Sequence, residues 1–186
     1  MPDIIQEANW IDIFFVILLL GMVYKGLQSG VGNQILSLIG YFILLFFSIG
    51  YYELVSNAIF GFLLQKWTRP VAFILIAAIV FIATKLLQRI FSIMSSEQLA
   101  PLDRIGGAVL AGVRSCLVCG IIGIFFLLTP IEPLRGSIIH GSKTGMYFVD
   151  MDIKLYSWMI ESLGMNTKED ADALVNKMIA SITAKQ

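Results

Sequence analysis

Apolar residues along this chain gather in four long runs, after which the pattern changes to amphipathic periodicity. The runs cover 10–24 (WIDIFFVILLLGMVY), 35–52 (ILSLIGYFILLFFSIGYY), 70–87 (PVAFILIAAIVFIATKLL) and 105–129 (IGGAVLAGVRSCLVCGIIGIFFLLT), the last stopping at Pro130. A helix needs about 20 mostly apolar residues to cross roughly 30 Å of hydrocarbon. The second run holds no formal charge, and Lys85, near the end of the third, can snorkel to the interface. The first run is short, and Trp10 and Tyr24 bracket it where amphipathic aromatics sit at a membrane surface. The stretch ahead of it carries Asp3 and Glu7 in place of a basic n-region, and no A-x-A-like site follows, so it reads as a retained span. The pattern predicts an all-α integral membrane protein, a four-helix bundle with its transmembrane domain in residues 1–129.

The connections carry patterns of their own. Between 53 and 66 the residues Leu54, Val55, Ala58, Ile59, Phe62 and Leu63 recur at helical spacing, while Glu53, Asn57, Gln65 and Lys66 avoid that stripe, predicting a helix lying in the interface. The stretch 88–104 holds SSEQ and the Ala100–Pro101 step, a turn before the fourth span. Residues 130–145, with Pro133 and Gly136, read as a linker, and 146–186 as an amphipathic helical tail. In that tail Met146, Val149, Ile153, Tyr156, Ile160 and Leu163 step by three or four, opposite a polar face of Asp150, Asp152, Lys154, Ser157 and Glu161, with Gly164 as C-cap. A second helix opens at Thr167, with Asp170 three residues on, and places Leu174, Val175, Met178, Ile179 and Ile182 on one side.

Composition agrees with the runs. Of 186 residues, 58% are hydrophobic and 14% charged, with a mean hydropathy of +0.83, far from soluble domains at about 25% charged. Thirteen basic residues balance thirteen acidic ones, so no positive excess exists for nucleic acid. Orientation is not set by charge. Lys25, Lys85, Arg89 and Arg104 fall on one side and Lys66, Arg69, Arg135 and Lys143 on the other, a draw under the rule that Lys and Arg remain in the cytoplasm.

The fourth run carries two ridges of small residues at i, i+4 spacing: Ala108, Gly112, Cys116, Gly120, and Gly107, Ala111, Ser115, Cys119, Gly123. Such ridges let backbones approach closely in lipid, which predicts a buried central helix or the seam of a homo-oligomer. Arg114 lies within the same run, where an unpaired Arg costs at least about 2.5–3.5 kcal/mol. Its candidate partners are Asp12, Asp103 and Glu53, and it could belong to a structural ion pair, a polar pathway or a lipid-headgroup site. Cys116 and Cys119 have C-x-x-C spacing, but a membrane interior disfavours the thiolate that redox chemistry needs, so both read as packing residues. His140, the only His, lacks ligand-spaced companions, so no metal is expected. No hydrolase elbow, phosphate-binding loop or zinc-protease motif occurs; no catalytic residue, no cofactor and no enzymatic activity is expected.

Particular residues resemble the colicin V production protein (CvpA) family. They are Asn9, Trp10 and Asp12 opening the first span, Lys25-Gly26-Leu27, Gly30, and Leu36-Ser37-Leu38-Ile39-Gly40. The closest likeness is Leu102-Asp103-Arg104-Ile105-Gly106-Gly107-Ala108, continuing through Gly112 to Arg114, so that the resemblance covers roughly 9–130. It implies a multi-pass protein of the bacterial cytoplasmic membrane, linked to production or export of the toxin colicin V and to envelope homeostasis. Some family members carry a protease outside the membrane after the spans, which places both termini in the periplasm and Lys25, Arg89 and Arg104 inside. The family's first connection is often richer in Arg than the single Lys25 here. The expected action is through the bilayer and membrane-protein partners, a homo-oligomer among them. The alternative is a small channel or transporter with a polar route near Arg114, lined also by Asp12 and Asp103.

Overall fold

The computed structural model describes residues 9–59, 67–94 and 101–162. Among these the chain is helical nearly throughout, without a strand: α1 (Trp10–Ile59), α2 (Thr68–Met94), α3 (Pro101–Leu128), a short α4 (Glu132–Gly136), a π-helical turn (Ser137–Gly141) and α5 (Lys143–Ser162). Three of them, α1, α2 and α3, are long and apolar enough to cross a membrane. Stripes of large apolar side chains face outward on each: Ile17, Leu20 and Tyr24, then Ile79, Ile82, Leu86 and Ile90, then Ile105, Val109 and Val113. Soluble monomers rarely leave such contiguous surfaces bare, whereas hydrocarbon solvates them without cost. The protein is a membrane protein.

The 50-residue α1 is not one straight rod, because Gly30 leaves helical geometry at φ 68°, ψ 167°. That region of backbone space is open to Gly alone without strain. On its two sides the arms 10–29 and 31–59 run along α3 in opposite senses. Gly26 packs on Gly107 and Ala111, and Val31 meets Gly106; fifteen-odd ångströms further on, at about 1.5 Å per residue, Tyr41 lies over Arg114. The first arm leads back the other way, with Phe15 packed against Phe148 and Gly145, whose carbonyl approaches Gly123. Two interactions close the turn. The Val31 N–H, the first free donor of the second arm, donates to Asp103 Oδ1 at 2.8 Å. Asn33 Nδ2 donates to the Ser29 carbonyl at 3.1 Å, satisfying an acceptor at the end of the first arm.

Small residues set the spacing of these rods. A Cβ on Gly26 would collide with the Ala111 methyl and the Gly107 carbonyl oxygen, and one on Gly107 would press on the Gly26 carbonyl and the Gly30 backbone. Gly40 backs on Thr84 in the same way, bringing the second arm against α2. Half of α3's most apolar stretch is buried against 22% of that in α2, which makes α3 the central rod and α2 a flanking one. The core that joins them holds Ile11, Phe15, Leu45, Ile49, Phe73 and Ile124, with Ile138 and Val149 from the C-terminal elements.

Three features depart from the sequence reading: residues 53–59, Asp152 and the predicted linker, helical over 132–141. Residues 53–59 continue the second arm of α1 without a break instead of starting a separate interfacial helix, since no Gly or Pro interrupts the hydrogen-bond ladder there. Asp152, placed on the polar face of the tail helix, is fully buried, because Gly120 of α3 leaves room for its carboxyl group. The stretch 132–141 forms α4 and the π turn between α3 and α5. The rest of the predicted interfacial helix (60–66), the SSEQ segment, the Gly164 cap, the second tail helix and the His140 side chain lie outside the described residues.

Candidate functional site

At the Gly30 end of the molecule the rods part around a cavity of about 320 Å³. The first arm of α1 contributes Lys25 and Ser29, the second arm Asn33, Gln34 and Ser37, α2 contributes Lys85, Gln88 and Arg89, and α3 supplies Arg114. Lys25, Lys85 and Arg89 are exposed and form the rim, whereas Gln34, Ser37 and Arg114 are buried and form the floor. Among the described residues, four cationic side chains line this space and no carboxylate does.

Local sequence explains how each side chain arrives. Ser29, Asn33 and Ser37 recur every four residues, and each returns a hydrogen bond to the backbone four positions earlier, so the polar ladder continues across the Gly30 turn. Lys85, Gln88 and Arg89, at i, i+3 and i+4, share one face of α2. That face is tied to α1 by Gln88 Nε2 donating to Ser37 Oγ at 2.8 Å, while Lys85 Nζ donates to Gln88 Oε1 at 3.2 Å. Lys85 also lies over the Phe81 ring, 5.5 Å from its centroid. Arg114 stands about 16 Å along α3 from Asp103 and about 21 Å from Leu128. Its guanidinium rests over the Tyr41 ring at 5.6 Å, and its Nε, buried, has no hydrogen-bond partner among the described residues. Gln34 Oε1 is likewise buried without a partner. The positive charges of Arg114 and Lys25 both act on Lys85.

Two of the carboxylates proposed as partners for Arg114, Asp103 and Asp12, are engaged elsewhere. Asp103 holds the Val31 N–H at the hairpin turn. Asp12 lies at the opposite end, where Ser142 and Thr144 donate to its Oδ1, and Ser142 Oγ in turn accepts the Gly145 N–H at 2.8 Å, capping α5. Asn9 Nδ2 donates to the Ser137 carbonyl and Trp10 Nε1 to Ser137 Oγ at 3.3 Å. The Asn9, Trp10 and Asp12 group therefore staples the start of α1 to the π turn and α5, and neither Asp12 nor Asp103 lines the cavity. Arg104 is exposed beside the turn.

The small ridges of α3 are occupied within the chain. Gly107 and Ala111 meet the first arm of α1, Gly120 seats Asp152, and Gly123 receives Val149. Gly112 has only Val23 at ordinary contact distance, Ser115 is buried and bonded to the Gly112 carbonyl, and Cys116 and Cys119 are free thiols, the latter fully buried. Neither oxygen of Asp152 has a hydrogen-bond partner, and burial pushes its carboxyl up to about 8.

Sequence reasoning singled out Arg114 and missed the groups around it. The signal lies in the four-residue repeat Ser29, Asn33, Ser37 and in the Lys85, Gln88, Arg89 cluster, of which the sequence reading explains Lys85 alone, as a snorkelling residue.

An all-helical membrane protein whose rods enclose a cationic pocket is the class defined by this fold and site. Within that class the chain belongs to the colicin V production protein family, whose profile matches residues 11–152 and so takes in the pocket, Asp12 and Asp152. No curated protein and no solved structure matches it.

Proposed function

We propose that this chain is a four-span protein of the bacterial cytoplasmic membrane that serves colicin V production and export and envelope homeostasis by binding partners, without catalysis, cofactor or metal. The arms 10–29 and 31–59 are the first two spans, α2 and α3 the third and fourth. Both termini lie in the periplasm, and the Gly30 turn faces the cytoplasm together with Lys25, Arg89 and Arg104. Its partners are the lipid bilayer and membrane proteins, a second copy of the chain among them. The observation that carries this reading is the family match over 11–152, joined to the outward apolar stripes and the opposed arms of α1. In a colicin V-producing bacterium deleted for its own family member, expression of this chain should restore toxin release; unchanged release after expression at the normal level contradicts the reading.

The cavity favours a second reading, a small channel or transporter with its polar route near Arg114. Beyond Arg114, however, the adjoining space narrows to about 10 Å³ among Tyr41, Leu44 and Phe81. That holds roughly one water molecule, a size that suits a binding pocket better than a pathway.

A further inference from the structure

We propose that the cavity at the Gly30 end binds a phosphate-bearing anion, with Arg114 at its floor and Lys25, Lys85 and Arg89 at its rim. The inference rests on the four-span reading, which places this pocket at one membrane face between the arms of α1.

Among the described residues, four cations converge on one space without a carboxylate in its lining to balance them. Like charges held together beside low-dielectric walls repel, and an anion entering among them removes that repulsion. The floor is also unfinished as a hydrogen-bonded structure. Arg114 is only 8% exposed and Gln34 only 2%, yet the Nε of one and the Oε1 of the other have no partner. Buried polar groups are paired in the great majority of cases, and both residues line the cavity, so a ligand there can supply the missing partner once either side chain turns toward it. Gln34 can accept from a protonated phosphate oxygen through Oε1, or turn its amide and donate through Nε2.

The chemistry of the donors narrows the ligand. A guanidinium offers a planar fork that matches two oxygens of a phosphate, and Tyr41 holds that fork in place. Lys85 is held by Gln88, itself bonded to Ser37, so rim and floor are linked before any ligand arrives. At about 320 Å³ the space is far larger than the roughly 10–15 Å³ that one water needs by the same measure, and far more than a halide fills. A phosphate together with part of the group that it esterifies fits that volume. Its source is a lipid headgroup or a free phosphate.

Equilibrium binding to the purified full chain in detergent, with inorganic phosphate as one probe and nanodiscs with and without phosphatidic acid in a phosphatidylcholine background as the other, separates the sources. Arg114→Gln should weaken binding about tenfold to a hundredfold, as expected for loss of a charged hydrogen-bonding partner. Lys85→Gln, on the exposed rim, should weaken it several-fold. Arg69→Gln removes the same charge outside the cavity and should leave affinity unchanged. Saturable binding of inorganic phosphate with this pattern assigns a free phosphate; binding confined to phosphatidic acid nanodiscs with the same pattern assigns a lipid headgroup. Binding of neither probe, or equal losses in Arg69→Gln and Lys85→Gln, overturns the proposal. Impermeant thiol labelling of single cysteines in intact and permeabilised cells reports the topology separately, so a failed site and a failed four-span reading give different results.

Discussion

Single residues at the Gly30 turn carry more of the architecture than their size suggests. Asp103 supplies the acceptor that the first N–H of the second arm would otherwise lack in a membrane setting. Asp103→Ala should therefore destabilise the fold by about 1–2 kcal/mol, read as a lower unfolding midpoint in detergent, whereas Asp103→Asn should recover part of the loss through its amide oxygen. Asp152 makes the opposite kind of contribution. Its folded-state value of about 8 lies above the ordinary carboxyl value of 3.8, so its full contribution is present below about pH 4 and is lost as pH rises through 8. The titratable groups facing it from α3 are the thiols of Cys116 and Cys119, which offer no compensating positive charge. Stability should fall between about pH 4 and about pH 8 by an amount on the order of 5 kcal/mol at most, and Asp152→Asn should flatten that slope. An unaltered slope in the variant would assign the titration to another group.

At the scale of elements, the close contact between the first arm of α1 and α3 depends on two glycines facing each other. Gly26→Leu has no room, since even a methyl group there meets the Ala111 side chain and the Gly107 carbonyl; it should cost more than about 2 kcal/mol, or abolish the folded state. Gly30→Ala is a milder test: it forces a side chain into a backbone region that only Gly enters freely, at a cost of about 1–3 kcal/mol by the same unfolding measurement. These elements were legible to different degrees. Apolar runs announced the rods, because hydrocarbon demands length and apolarity and little else. The small ridges announced that α3 would be approached closely, though not that Gly120 would receive a carboxyl group. Asp152 was misplaced because helical periodicity assigns a residue to a face by spacing alone, and an apolar stripe is drawn without knowing which neighbour carries a glycine opposite. The interfacial helix is set apart from the second span for a similar reason: the charge-free run ends at Tyr52 and an amphipathic stripe follows, avoided by Glu53 and Asn57, but an uninterrupted ladder passes through both.

For the whole molecule, the arrangement joins a lipid-facing exterior to an interior that is polar at both ends. One end is the staple of Asn9, Trp10 and Asp12 on the π turn and α5, a closed set of donors and acceptors. The other is the cationic cavity, with Nε of Arg114 and Oε1 of Gln34 unpaired. Asp12 and Arg114 stand on separate rods, and their chemistry is complementary enough that the sequence suggests a pair; only the reversal at Gly30 shows them belonging to different ends. The cavity itself needed three rods to be placed before its cations met, which no local pattern discloses. The four-span topology is the claim on which site and function both stand, and impermeant thiol labelling tests it most directly. In a background carrying Cys116→Ala and Cys119→Ala, single cysteines replace Gln28, Asn57 and Gln98 in turn. Gln28 and Gln98 should react from the cytoplasmic face and Asn57 from the periplasmic face; labelling of Gln28 and Asn57 from the same face would contradict the reversal of α1 and the topology built on it.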